Sequence, residues 1–186
     1  MATDVSICTS ALLMVGADEI ESFTDPTREA KLCAQIYPTT KNKLLQSFPW
    51  RFSLGQAQLA KLATTPLYEF DFAFQLPSGF LRLIEINNPT FNYKIFEDKL
   101  FCDTDVVYVT YQFDPGEEDM PDYFVRLLEL DMAAILSISL LEDLDKANAF
   151  QRMADRQALQ ARSTDGQNQT TQALDDVNFE LIQVRY

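Results

Sequence analysis

LYEFDFAFQLPSGFLRLIEI, residues 67–86, places Tyr68, Phe70, Phe72 and Phe74 at every second position, with Leu76 continuing the series. Glu69, Asp71, Ala73 and Gln75 fill the gaps. A period of two puts one set on one face of an extended ribbon and the other set opposite. Pro77-Ser78-Gly79 then reads as a turn into a second, more buried strand, residues 81–86. Four aromatic side chains on one face need a cover. Either the domain's own core supplies it, or neighbouring copies of the protein do.

Outward from the ribbon, residues 93–96 and 100–102 read as a hairpin turning at Asp98-Lys99, and residues 106–113 (VVYVTYQF) as a β-branched and aromatic strand. Before the ribbon, the polar and small residues 56–65 read as a loop or short helix. Helices flank this β region. The first is expected over 3–15, capped at Thr3 or Asp4, with Val5, Cys8, Leu12 and Val15 on one face and Gly16 at its end. The second is expected over 25–48, opened by Thr24-Asp25-Pro26. It carries Ala30, Cys33, Tyr37, Leu44 and Phe48 at helical spacing, and Pro38 predicts a kink near Ala34 or a break. Met120-Pro121-Asp122 opens a long helix, expected over 121–143, apolar nearly all round and therefore central. A further helix, 144–161, carries Lys146, Arg152, Arg156 and, just past it, Arg162. The order predicts an α+β fold: a mostly helical bundle with an inserted antiparallel β region, about residues 67–113, and an extended C-terminal arm. One domain is expected over 1–162. Residues 163–172 (STDGQNQTTQ) read as a flexible linker. Residues 177–186 regain strand-like character, either as an edge strand of the protein's own sheet or as an arm for a partner.

Composition narrows the chemistry. The chain of 186 residues has no histidine, which removes the commonest general base and the Ser/His and Cys/His nucleophile systems. Cys8, Cys33 and Cys102 are an odd number without close spacing, which argues against a disulfide framework or a zinc site. No cofactor motif is found. The paired acids Asp103/Asp105, Glu117/Glu118/Asp119 and Glu142/Asp143/Asp145 leave carboxylate-based glycan hydrolysis as the one enzymatic alternative. Between Glu97 and Asp145 there are 14 acids against Lys99 and Arg126, a net −12 of the chain's −13. Such a block repels phosphate and argues against tight nucleic-acid binding. No apolar run is long enough to cross a bilayer, and the N-terminus lacks the basic start of a secretory signal, so assembly in a cytosol is expected.

The order of short motifs carries one further reading. Leu12-Leu13-Met14-Val15-Gly16 is followed by Ile20-Glu21-Ser22-Phe23, then Cys33, Tyr37-Pro38, Leu44-Leu45 and Phe48-Pro49-Trp50-Arg51-Phe52. Next come Tyr68 to Phe74, Gln75-Leu76-Pro77, Leu81-Arg82 and Asp119-Met120-Pro121. Over about residues 5–160 this resembles the tail tubular protein A type of head-to-tail adaptor of tailed bacteriophages. The resemblance implies a structural, non-enzymatic virion protein assembled in the host cytoplasm. It would form a ring, usually of twelve copies, between the portal protein and a downstream tail or nozzle protein, with DNA passing through unbound. It implies a portal-docking C-terminal segment, here Val177, Phe179, Leu181, Ile182, Val184, Arg185 and Tyr186. For such a ring, Tyr68, Phe70, Phe72, Phe74, Tyr93 and Phe96 are the candidate subunit contacts. Asp103, Asp105, Glu117, Glu118 and Asp119 are the candidate lumen acids. A different neck or head-completion protein, or a glycan hydrolase on the tail, are the alternatives.

Overall fold

Thr3 closes the start of the first helix in the computed structural model, which describes residues 2–64, 66–87 and 92–167. Its hydroxyl accepts from the Ser6 backbone N–H while Ser6 Oγ accepts from the Thr3 N–H, a reciprocal capping box at the head of α1 (Asp4–Val15). Gly16, at φ 83°, takes the left-handed conformation that ends it. In α2 (Arg28–Ser47) the cap is Thr27, so the helix begins three residues later than the expected start at 25. Asp25 is occupied otherwise, its carboxylate accepting from the N–H groups of Glu21 and Ser22. Pro38 lies inside one continuous helix, so the break does not occur. An internal proline costs about 3 kcal/mol. Here Ala30 and Cys33 before it and Leu44 and Leu45 after it are buried in the same core, which holds both halves of the helix.

A single helical turn, Arg51–Ser53, leads into seven strands: β1 (Leu54–Gln58), β2 (Ala60–Lys61), β3 (Phe72–Gln75), β4 (Phe80–Ile86), β5 (Tyr93–Phe96), β6 (Lys99–Cys102) and β7 (Tyr108–Phe113). A second short turn, Glu117–Asp119, precedes α3 (Asp122–Leu141) and α4 (Leu144–Gly166). The fold is α+β, with the β region inserted between helices α2 and α3.

Several expected boundaries are corrected. The β region begins at Leu54, because 56–58 pair with β7 and 60–61 with β3. Gly55, Gln56, Ala57 and Gln58 are poor strand formers, and the partner strand decides their conformation. The aromatic ribbon is a strand only over Phe72–Gln75; Glu69 has φ 77°, which ends the alternation. β4 is not the more buried strand, since only Ile86 is buried in it and it forms a sheet edge. The hairpin turns at Glu97-Asp98, with Lys99 already in β6. α4, at 23 residues, is longer than α3, at 20.

α4 also runs through residues 163–166, expected as linker. Asp165 explains this: it is buried, and its carboxylate accepts from the Arg51 N–H and from Tyr123 Oη at 2.7 Å. The expected linker beyond it, from 168, and the arm lie outside the described residues.

The strands form two antiparallel sheets, β1-β7-β4 (sheet A) and β2-β3-β6-β5 (sheet B). One core lies among the helices, built on Ile7, Leu12, Leu45, Trp50, Phe124 and Leu128. α3 is central to it, as its apolar sequence predicts. Trp50 anchors the end near the strands, with Phe48 and Phe124 edge-on at 5.1 and 5.3 Å and its indole N–H donating to Leu44 O. The second core lies between the sheets: Phe74, Leu100 and Cys102 from sheet B against Ile86 and Val109 from sheet A.

Gln112 joins the two. Alternation along β7 points it away from Val109 and Tyr111, and it is fully buried. Its amide nitrogen lies within 2.7–2.9 Å of Leu45 O, Phe48 O and Ser53 Oγ. Its amide oxygen accepts from Arg82 Nε at 2.8 Å. Replacing Gln112 by Ala strands these groups and opens a cavity. We expect a loss of roughly 2–4 kcal/mol in urea unfolding; a change under about 0.5 kcal/mol, the range of an ordinary surface substitution, contradicts the assignment.

Candidate interaction surface

The register of β3 with β6 sorts the aromatic residues. Phe72 faces Cys102 and Phe74 faces Leu100, so these four share the inner side. Phe74 is 1% exposed and belongs to the core between the sheets, not to a subunit contact. Phe72 is half-buried against that core, with Lys61 Nζ 3.6 Å above its ring. Ala73, opposite Phe101, points to the outer side of sheet B. Phe96, opposite Lys99, joins them there, with its ring 5.9 Å from that of Phe101.

Pro66, Leu67, Tyr68 and Phe70 border this outer side and enclose, with Ala73, Phe96, Lys99 and Phe101, a cleft of about 440 Å³. Leu67 is fully exposed, Tyr68 is 79% exposed and Phe96 56%. Tyr93 is exposed on edge strand β5. Glu69, held by an ion pair to Lys94, fixes the loop against that edge. The structure thus brings Tyr68, Phe70 and Phe96 together around one cleft and places Tyr93 on the adjoining edge. Sequence reading missed Leu67 and Phe101, since neither sits in the aromatic series.

The acids do not form one surface. Asp103 and Asp105 precede β7 while Glu117, Glu118 and Asp119 follow it, so the six residues Tyr108–Phe113 separate the groups by roughly 15–20 Å. That exceeds the spacing of a glycosidase pair, about 5–10 Å. Asp103 accepts from the Asp71 N–H and extends the pairing of β3 with β6 by one link. Asp103, Asp105, Glu118 and Asp119 are exposed.

Glu117 is a different case. It accepts from Lys41 Nζ at 2.9 Å and from Tyr37 Oη at 3.0 Å. Lys41 also meets Asp114 at 2.8 Å and donates to Pro115 O. Burial pushes the Glu117 carboxyl up, but the Lys41 hydrogen bond and charge outweigh it and hold it below the usual range. Burial likewise opposes charge on Lys41, yet its two carboxylate partners hold it above the usual value. Glu117 therefore fastens the segment after β7 to α2 and is not a free lumen acid.

Cys8 and Cys33, distant in sequence, meet between α1 and α2 as buried free thiols; their mutual hydrogen bond and then burial push Cys8 up. Among the described residues no group of three or more acid or cysteine side chains is placed to hold a metal ion, and no helix is long and apolar enough to cross a membrane. The arm residues Val177, Phe179, Leu181, Ile182, Val184, Arg185 and Tyr186 lie outside the described residues. The chain matches no protein-family model, and no curated protein matches it.

The two classes of aromatic residue are separable by stability. Phe74→Ala should cost about 3–5 kcal/mol in urea unfolding, whereas Tyr68→Ala should stay within roughly 0.5 kcal/mol. Equal costs for the two would contradict this division of inner and outer side.

Proposed function

We propose that the protein is a structural head-to-tail adaptor of a tailed bacteriophage, of the tail tubular protein A type. It acts in the virion as a ring, of twelve copies, between the portal and the next tail component, and DNA passes through the ring. The observation that carries this reading is the exposed aromatic cleft of sheet B. An apolar surface of this kind, on a region inserted between two helical halves, suits burial by other protein chains. The helical bundle with its inserted β region also agrees with the fold the motif order implied.

In this role the protein needs no chemistry. Its strongly acidic composition keeps the phosphate backbone from adhering to the conduit. Asp103, Asp105, Glu118 and Asp119, as exposed acids, are the lumen candidates that remain. The arm, 177–186, is the portal anchor.

Electron microscopy of the purified protein mixed with portal tests the reading. Twelvefold rings stacked on portal are expected. Deleting 173–186, beyond the end of α4, should abolish portal binding with unchanged circular dichroism. A protein that ignores the portal, or one that cleaves polysaccharide as a monomer, contradicts the adaptor reading.

A further inference from the structure

The last turn of α4 lies against the start of the β region. Asp165 accepts from the Arg51 N–H, and Arg51 opens the short turn that leads into β1. α4 ends at Gly166, so the residues that follow set out from the junction between helices and sheets. Six of the ten residues 177–186 are apolar: Val177, Phe179, Leu181, Ile182, Val184 and Tyr186. The sheet B cleft, with Leu67, Tyr68 and Phe96 exposed around it, has the same character.

Length permits the two to meet within one chain. Thr64, on the cleft wall, is 13 residues from Arg51, so it lies at most about 45 Å away. The separation is shorter than this bound, because Arg51–Ser53 is a helical turn and the chain crosses from sheet A to sheet B between β1 and β2. An extended chain leaving Gln167 covers about 45 Å by Leu181 and about 60 Å by Tyr186. Charge does not oppose the contact. Glu69 is paired with Lys94, and Lys99 lines the same cleft, so Glu180 meets no unbalanced acid there. The tether supplies the arm at an effective concentration on the order of a millimolar, which an untethered apolar partner has to exceed.

We propose that in the free subunit residues 177–186 dock into the sheet B cleft of their own chain. The contact covers two apolar surfaces that would otherwise drive non-specific association. Its consequence rests on the adaptor reading: a portal that takes the arm also uncovers the cleft, so subunits join one another on the portal and not in solution.

Amide hydrogen exchange on the full chain, read by mass spectrometry at two protein concentrations, tests the docking. One variant carries Leu67→Ser, Tyr68→Ser and Phe96→Ser in the cleft; a second carries Phe179→Ser and Leu181→Ser in the arm. The three cleft side chains are exposed, and unchanged circular dichroism verifies that each variant folds. In the wild type the amides of 177–186 should exchange at least about tenfold more slowly than in the cleft variant, at both concentrations. The arm variant should in turn speed exchange over the cleft loop, residues 67–70. Arm amides equally fast in wild type and cleft variant, or equally slow in both, overturn the docking, as does unchanged exchange over 67–70 in the arm variant. Protection that disappears on dilution puts the arm in another copy's cleft and overturns it too. Each of these results leaves the adaptor reading standing, whereas a protein that ignores the portal overturns that reading and leaves the docking to the exchange data.

Discussion

A buried amide couples the two halves of this molecule. Gln112 sits at the end of β7 where sheet A meets the last turn of α2, and it ties the carbonyls of Leu45 and Phe48, the Ser53 hydroxyl and the Arg82 guanidinium at one point. A backbone that leaves a helix, turns and enters a strand exposes carbonyl groups at the bend, and burying them unpaired costs about 1–3 kcal/mol each. Gln112 removes that cost for α2. Asp165 does the same a few residues further on, receiving the Arg51 N–H as the short turn begins. Lys41 fixes the other exit, where the chain leaves β7 for α3. The inserted β region is therefore held at each crossing by a polar side chain with several partners.

With its base fixed in this way, the β region builds its own core and keeps one side open. Phe74, Leu100 and Val109 fill the space between the sheets. The loop carrying Leu67 and Tyr68 leaves its large side chains outside, because Glu69 takes a left-handed conformation that ends the strand pattern. The same stretch thus has two fates: its second half is buried in the core between the sheets, and its first half stays exposed at the cleft of sheet B.

The helices were legible in the sequence wherever local chemistry decides them. Thr3 and Gly16 bound α1, and the apolar run after Pro121 forecast a central α3. β1 was not legible, since Gly-Gln-Ala-Gln carries no alternation and becomes a strand only beside β7. The end of α4 was hidden for a related reason: Ser-Thr-Asp-Gly reads as a linker until Asp165 finds Tyr123 and Arg51, 42 and 114 residues away. The site was half legible. Tyr68, Tyr93 and Phe96 proved exposed as a contact surface needs, whereas Phe74 and Glu117 carry signals that are the same for a core aromatic or an ion-paired acid as for a functional one. Only packing separates those cases.

The central claim is that the polar junction makes the helical body and the β region one cooperative unit. Native-state amide hydrogen exchange tests this most directly, because it reads opening locally. The account predicts that the amides of Arg51 and Ser53, at the junction, exchange as slowly as those of α3 and β7. Rapid exchange at these two amides, with α3 and β7 still protected, would contradict it.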